Sequence, residues 1–133
     1  MSGYSGTPLP KKLGIKEGLR VRLLAMPPEI RAELKPSLAG CEIALNGKKP
    51  VDLMMWFTKS RADLEELEKL ALQIAPAGML WICWPKKSSG VATDLNENIV
   101  REMGLATGMV DVKVCAVTEI WSGLKFVRRL KDR

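Results

Sequence analysis

Two long apolar runs, separated by one amphipathic segment, constrain the fold of this chain more than any other feature. Residues 51–58 (VDLMMWFT) and 79–84 (MLWICW) are almost continuously apolar, as strands covered on both faces of a sheet are. Between them apolar residues recur at helical spacing, Ser60 can cap the helix, and Pro76 and Gly78 end it. This order predicts a βαβ unit with parallel strands and a right-handed crossover.

The flanking segments extend this unit into a larger sheet. The patterns predict strands at 19–26 and 41–45, a helix at 28–35, a helix at 93–103 capped by Thr93 or Asp94, and edge strands at 110–120 and 122–130. The last two alternate as an antiparallel pair does. The predicted fold is therefore α/β, a three-layer sandwich whose Rossmann-like mixed sheet has parallel strands and a C-terminal antiparallel pair. The predicted organisation is an N-terminal arm (1–18) and a single domain (19–133).

The residue types that are missing exclude several chemistries. The chain has no histidine, which excludes Ser-His-Asp and Cys-His nucleophile systems and zinc sites that need an imidazole. Cys41, Cys83 and Cys115 are far apart, so we expect neither disulfides nor a metal site, and Cys83 and Cys115 are predicted to be buried. No signal segment and no membrane-spanning run is evident. These features predict a cytoplasmic protein without a membrane partner.

The charge balance favours anionic partners. The formal net charge is +6, from 21 Lys and Arg against 15 Asp and Glu. Phosphorylated small molecules, nucleic acid and acidic proteins all fit such a balance. Aromatic residues make up only 5% of the chain, and the tryptophans fall mostly in predicted core strands, so we do not expect nucleic acid to be the partner. A protein partner stays open.

The loop WPKKSSGVATD, residues 84–94, is the predicted functional site. It leaves the carboxyl end of a buried strand and leads into a helix N-terminus, two features that favour a bound anion. The predicted ligands of a phosphate or carboxylate are Lys86, Lys87, Ser88, Ser89, Gly90, Thr93 and Asp94. The order of a Walker A motif is absent, so nucleotide hydrolysis is not predicted. The alternative is a solvated connecting loop whose threonine caps a helix.

A second stretch, WSGLK at 121–125, could border the same pocket. An aromatic ring beside a lysine at a hairpin turn can stack on a ligand and pair with an anion. The predicted pocket-lining residues are Trp84, Trp121, Ser122, Gly123 and Lys125. In the alternative interpretation Trp121 covers the end of the sheet, and Ser122 and Gly123 only form the turn.

Three stretches resemble a small bacterial family, domain of unknown function 3052. They are YSGTPLPKKLGIKEG (4–18), APAGMLWICWPKKSSGVATDLNE (75–97) and VDVKVCAVTEIWSGLKFVRR (110–129). This resemblance covers nearly the whole chain. It implies membership of a family that has no assigned activity, so it does not indicate a mechanism.

The order of elements from Val51 to Leu130, with the turn IAPAGML (74–80), more loosely resembles the Rossmann-like S-adenosylmethionine-dependent methyltransferases. That resemblance implies a glycine-rich loop after the first strand and an acidic residue after the second. Met26-Pro27-Pro28-Glu29 and Leu45-Asn46-Gly47 stand there instead. We therefore do not expect S-adenosylmethionine as the cofactor.

These observations predict a binding or regulatory module that holds an anionic small molecule at the Lys86–Asp94 loop. A degenerate methyltransferase-like transferase also fits the sequence, and in it Asp94 and Lys87 would do acid/base work in the absence of histidine. A protein-interaction subunit or a weak nucleic-acid binder fits as well. Whether the chain is an enzyme stays open at this point.

Overall fold

The computed structural model describes residues 7–133, which form a six-stranded sheet with helices on both faces. The elements are α1 (Leu9–Leu13), β1 (Arg20–Leu24), α2 (Pro28–Leu38), β2 (Glu42–Ile43), β3 (Val51–Phe57), α3 (Leu67–Ala71), β4 (Ile74–Pro85), α4 (Glu97–Ala106), β5 (Met109–Ala116) and β6 (Trp121–Arg128). Short 3-10 turns cover Arg61–Glu66, Lys87–Ser89 and Leu130–Asp132. None of the helices in this part of the chain is long and apolar enough to cross a membrane.

The sheet is mixed, in the order β2-β1-β3-β4-β6-β5. Strands β1 to β4 run parallel, and β6 runs antiparallel to both β4 and β5. The two central strands, β3 and β4, are the continuously apolar runs, and each is covered on both faces. The predicted mixed sheet with a C-terminal antiparallel pair is therefore confirmed.

Apolar side chains of the sheet divide into two cores, one on each face. Leu13 of α1 and Ile30 of α2 pack on one face with Trp81. Leu67 of α3 and Val100 of α4 pack on the other. This arrangement confirms the predicted three layers, since neighbouring residues of a strand point to opposite faces.

Helix α1 is part of the first core. Leu9 and Leu13 are buried, and the indole N–H of Trp81 donates a hydrogen bond to the carbonyl oxygen of Leu13 at 2.9 Å. The predicted arm thus packs on the sheet through Leu9 and Leu13, and its first six residues lie outside the described part of the chain. The division into an arm and a domain at residue 18 stays a prediction.

The predicted helix between β3 and β4 is shorter than expected. Ser60 does cap the segment, accepting the Ala62 N–H at 3.1 Å, but a 3-10 turn comes first and α3 has only five residues. β4 then begins at Ile74, which pairs with Val51 before a register shift. Gly78 permits this close approach, because a Cβ there would lie 2.9 Å from the Val51 carbonyl oxygen.

Helix α4 begins later than predicted. Its N-cap is Asn96, whose side-chain oxygen accepts the Ile99 N–H at 2.9 Å. Thr93 and Asp94, the predicted caps, bind another loop instead. The helix N-terminus consequently lies beyond the loop in which the anion ligands were predicted.

Candidate functional site

The order of the strands reverses between β1 and β3, and we call the space outside the carboxyl ends of these two strands the crevice. Helix α2 leads from β1 to β2 across one face of the sheet, and α3 leads from β3 to β4 across the other. The chain therefore leaves β1 and β3 in opposite directions. Ligands of open α/β sheets bind at such a reversal, outside the carboxyl ends of the strands. Ala25 and Lys59, both exposed, follow these two strand ends.

The turn after β1 has an unusual backbone conformation. Ala25 has a φ of 56°, and it is the only residue other than glycine with a positive φ in the described part of the chain. Glycine-rich cofactor loops use glycine for such turns, because it adopts them without steric cost. Here alanine makes the turn, and Pro27 and Pro28 begin α2 without backbone N–H groups. Glu29, exposed in the first turn of α2, is the adjacent carboxylate.

The second strand contributes little to this crevice. Ile43, the last residue of β2, pairs with Val21, so β2 stops well before β1 ends at Leu24. The following residues, 44–50, contain Lys48 and Lys49 and no carboxylate. An acidic residue at the end of the second strand is therefore absent, as the sequence indicated.

A cavity of about 620 Å³ lies beside the crevice, where β4 ends and β6 begins. Its lining includes seven residues that the sequence predicted for the site: Trp84, Lys86, Lys87, Gly90, Thr93, Asp94 and Ser122. Trp84 is buried and forms an apolar wall, and the two lysines add positive charge at the rim. We call this space the loop cavity.

The predicted serine ligands do not contribute to the cavity wall. The Ser89 hydroxyl donates to the Lys86 carbonyl oxygen at 2.6 Å and accepts the Val91 N–H at 3.1 Å. Ser89 therefore shapes the loop. Ser88 is exposed and is not among the lining residues.

Thr93 and Asp94 join the loop after β4 to the loop after β3. The Thr93 hydroxyl donates to the Lys59 carbonyl oxygen at 2.6 Å, and the Asp94 carboxylate accepts the Arg61 N–H at 2.7 Å. Neighbouring parallel strands end at the same edge, so these bonds hold the loop cavity next to the crevice. The sequence could not show this role, because the bonded partners are more than thirty positions away.

Trp121, Gly123 and Lys125 lie on the opposite face of the sheet and do not line the loop cavity. The ring of Trp121 packs edge-on against Phe57, with centroids 5.2 Å apart, and Gly123 lies under Trp81. Lys125 is paired across the sheet with Lys113. Alternation along β6 explains the difference, since Ser122 points to one face and its neighbours to the other.

Five further residues line the cavity: Val91, Ala92, Leu95, Asn96 and Glu97. Leu95, Asn96 and Glu97 were not predicted to line it, because the helix was predicted to start at Thr93 or Asp94. Glu97 forms an ion pair with Arg101 at 2.6 Å, and this carboxylate, followed by Asp111, raises the pKa of the Arg101 guanidinium. Asn96 could have been predicted as the N-cap, because a capping side chain accepts the N–H of the residue three positions later, here Ile99.

Two of the three cysteines, Cys83 and Cys115, have unreactive thiols. Cys83 and Cys115 are buried, as predicted, and burial raises the pKa of both thiols. A protonated thiol is a poor nucleophile and a poor metal ligand. Among residues 7–133 no three Cys, Asp or Glu side chains are grouped to hold a metal ion.

The chain was compared with known proteins at the level of sequence and of structure. No protein-family model matches it, so the resemblance to domain of unknown function 3052 finds no support, and no curated protein sequence matches it either. Solved structures do match. An S-adenosylmethionine-dependent methyltransferase from Aquifex aeolicus has a TM-score of 0.59 at 16% identity, with 87% of this chain and 85% of that chain covered.

Two further structures show the same likeness. The fibrillarin pre-rRNA processing protein of Methanococcus jannaschii has a TM-score of 0.54 at 15% identity, over 96% of this chain and 71% of that one. The 1,6-didemethyltoxoflavin-N1-methyltransferase of Burkholderia thailandensis, solved with S-adenosylhomocysteine, has a TM-score of 0.57 at 12% identity, over 90% and 74%. The fold is Rossmann-like and of the methyltransferase type.

These neighbours overturn two predictions made from the sequence. The prediction of a binding or regulatory module with an anion site was wrong, because the structural neighbours include methyltransferases and support the alternative of a methyltransferase-like transferase. The prediction that S-adenosylmethionine is not the cofactor was wrong for the same reason, since these neighbours point to S-adenosylmethionine binding. The cofactor prediction relied on the missing glycine-rich loop after β1 and the missing acidic residue after β2.

Proposed function

We propose that this protein is an S-adenosylmethionine-dependent methyltransferase. The observation that carries the proposal is the strand order β2-β1-β3-β4-β6-β5, whose reversal between β1 and β3 leaves a crevice next to a second cavity. Structural neighbours with this fold include methyltransferases from two bacteria. In this proposal the crevice takes the cofactor and the loop cavity takes the acceptor.

The residues at the crevice fit the cofactor through their backbone. Ala25 already has the left-handed conformation that a glycine supplies in dinucleotide-binding loops, and its exposure leaves the end of β1 open. The Ala25–Met26 backbone would hold the cofactor on one side, and the segment that begins at Thr58 would hold it on the other. Glu29 takes the place of the missing carboxylate after β2 as a partner for ribose hydroxyls.

In this proposal, side chains of the loop cavity bind the acceptor and take up its proton. When bound, S-adenosylmethionine supplies an electrophilic methyl group. Trp84 and Leu95 exclude water from the acceptor, and Lys86 and Lys87 attract an acceptor that carries negative charge. Asp94 Oδ1 accepts the Arg61 N–H, which leaves Oδ2 to take a proton from the acceptor.

Calorimetric titration with S-adenosylmethionine and with S-adenosylhomocysteine tests the cofactor site. We expect saturable binding by the parent protein and binding about tenfold weaker, or about 1.4 kcal/mol, for Ala25→Trp, whose indole would fill the crevice. Ala77→Trp is the matched control, because Ala77 is exposed near the amino end of β4, far from the crevice. No binding of either compound by the parent, or equal affinity in the two variants, would contradict the proposal.

A further inference from the structure

A cluster of lysines lies on the α1 face of the sheet, at the edge formed by β5 and β6. Lys113 and Lys125 are directly opposite each other in the antiparallel register, so their side chains leave the same face. Lys113 Nζ donates to the Lys12 carbonyl oxygen at 3.2 Å, which places α1 over the pair. Lys16, shortly after α1, is close enough to act on the charge of Lys125. We call Lys12, Lys16, Lys113 and Lys125 the lysine cluster.

Within residues 7–133 no carboxylate forms an ion pair with the two lysines at the centre of the cluster, Lys113 and Lys125. The ion pairs of this part of the chain join Arg20 to Glu42, and Arg101 to Glu97 and Asp111. Like charges directly opposite on two strands destabilise a sheet. The chain therefore keeps an unfavourable arrangement that an anionic partner would relieve.

The cluster is continuous with the rim of the loop cavity. Cys115 lies on the same face as Lys113, two residues further along β5, and its thiol experiences the charges of Lys12, Lys113 and Lys86. Lys86 also lines the loop cavity. A cavity of about 350 Å³, bordered by Lys12, Lys113 and Cys115, lies along this path. Positive charge thus extends as a band from the loop cavity to α1.

A band of charge of this kind fits a partner with regularly repeated phosphates. Proteins that bind single-stranded nucleic acid also provide aromatic rings on which the bases stack. In the described part of the chain every tryptophan and phenylalanine is buried, none more than 8% exposed. A double helix keeps its bases stacked and exposes its phosphate backbone. A protein can therefore bind it through positive charge, without aromatic rings.

We propose that the lysine cluster binds the phosphate backbone of a double-helical nucleic acid. This surface is on the opposite face of β6 from the loop cavity, and the proposal does not depend on methyltransferase activity. It also explains why two lysines stand opposite each other at the cost of stability. Nucleic acid was not expected as a partner from the sequence, because the aromatic content is low. A low aromatic content counts only against the binding of single-stranded nucleic acid.

Fluorescence anisotropy with labelled duplexes of about 16 base pairs tests the proposal, with RNA and DNA as separate arms to distinguish the two sources of a phosphate backbone. With about four phosphates neutralised, we expect the logarithm of the affinity for at least one duplex to fall with the logarithm of salt at a slope of about −3.6. Lys113→Gln plus Lys125→Gln should weaken binding by at least ~10-fold near ~0.1 M salt and reduce the slope by about 1.8.

The matched control is Lys48→Gln plus Lys49→Gln, which changes the same charge in the exposed loop after β2, at the opposite edge of the sheet. We expect this control to keep the parent's affinity within a factor of about two. Equal loss in the two double variants, a flat salt dependence, or tighter binding to a single-stranded homopolymer or to phosphatidylserine vesicles would overturn the proposal. Thermal unfolding without ligand verifies that both variants fold, and S-adenosylmethionine titration, measured separately, reports only on the cofactor site.

Discussion

Lys125 illustrates how the role of one residue depends on the face of the strand that it occupies. In sequence it follows a tryptophan, a serine and a glycine and was predicted to line a pocket with them. In the structure only Ser122 reaches the loop cavity, whereas Lys125 is half-buried opposite Lys113. Burial, followed by the charges of Lys113 and Lys16, lowers the pKa of Lys125 below its ordinary value of 10.5.

This lowered pKa predicts a dependence of stability on pH. Between the lowered value and 10.5 the unfolded chain binds more protons than the folded protein at this residue, so the contribution of Lys125 to stability rises with pH across that window. We expect the free energy of unfolding of the parent, minus that of Lys125→Gln, to increase from neutral pH toward 10.5. Urea unfolding at a series of pH values measures this difference, and a difference that stays flat or declines would contradict the assignment. Lys48→Gln, at the opposite edge, is the control.

At the scale of elements, contact between α4 and β6 depends on one glycine. Gly104 is buried in α4, and a Cβ at this position would clash with the ring of Phe126. Glycine is normally unfavourable within a helix. Here its absence of a side chain lets the helix approach the sheet closely.

Gly104→Ala should therefore destabilise the protein, although alanine favours helix formation. We expect a loss of about 1–3 kcal/mol in the free energy of unfolding, because Phe126 is fully buried and must move. Leu105→Ala, at the more exposed next position, should change stability by less than about 0.5 kcal/mol. Chemical denaturation of the parent, Gly104→Ala and Leu105→Ala measures these free energies of unfolding. A Gly104→Ala variant more stable than the parent would show that α4 and β6 can move apart at little cost.

At the scale of the whole molecule, the hydrogen bond between Trp81 and Leu13 joins the first helix to the centre of the sheet. The bond links residues 68 positions apart and is buried. Because β4 is central, α1 is fixed over the same face that carries the lysine cluster. The position of Lys12 and Lys16 therefore depends on this contact.

Trp81→Phe should lower the free energy of unfolding by more than Trp56→Phe does. Both substitutions replace a buried indole by a smaller ring, but only Trp81 donates a hydrogen bond within the described chain. The lost bond should add about 1 kcal/mol to the effect of the volume change. Urea unfolding measures the two losses, and limited proteolysis should cleave the Trp81→Phe variant faster near α1. Equal losses would mean that α1 is held by apolar contacts alone.

Much of the architecture was predictable because burial leaves a local pattern in the sequence. Continuous apolar runs indicated the central strands, and helical or alternating spacing indicated most of the elements around them. Element ends were less accurate. Thr93 and Asp94 have the chemistry of helix caps, yet hydrogen bonds to Lys59 and Arg61 occupy them, so the helix starts at Glu97.

By itself the sequence determined the α/β class, the parallel core, the position of the loop after β4 and the absence of histidine chemistry. All of these follow from residue type and short-range periodicity. Tertiary structure alone decided that the strand order reverses between β1 and β3, that Ala25 makes a left-handed turn at the end of β1, and that Lys113 lies opposite Lys125. Strand order and register bring together residues that are far apart in the chain. Sequence periodicity indicates whether a residue is buried, but it does not indicate which residue it contacts.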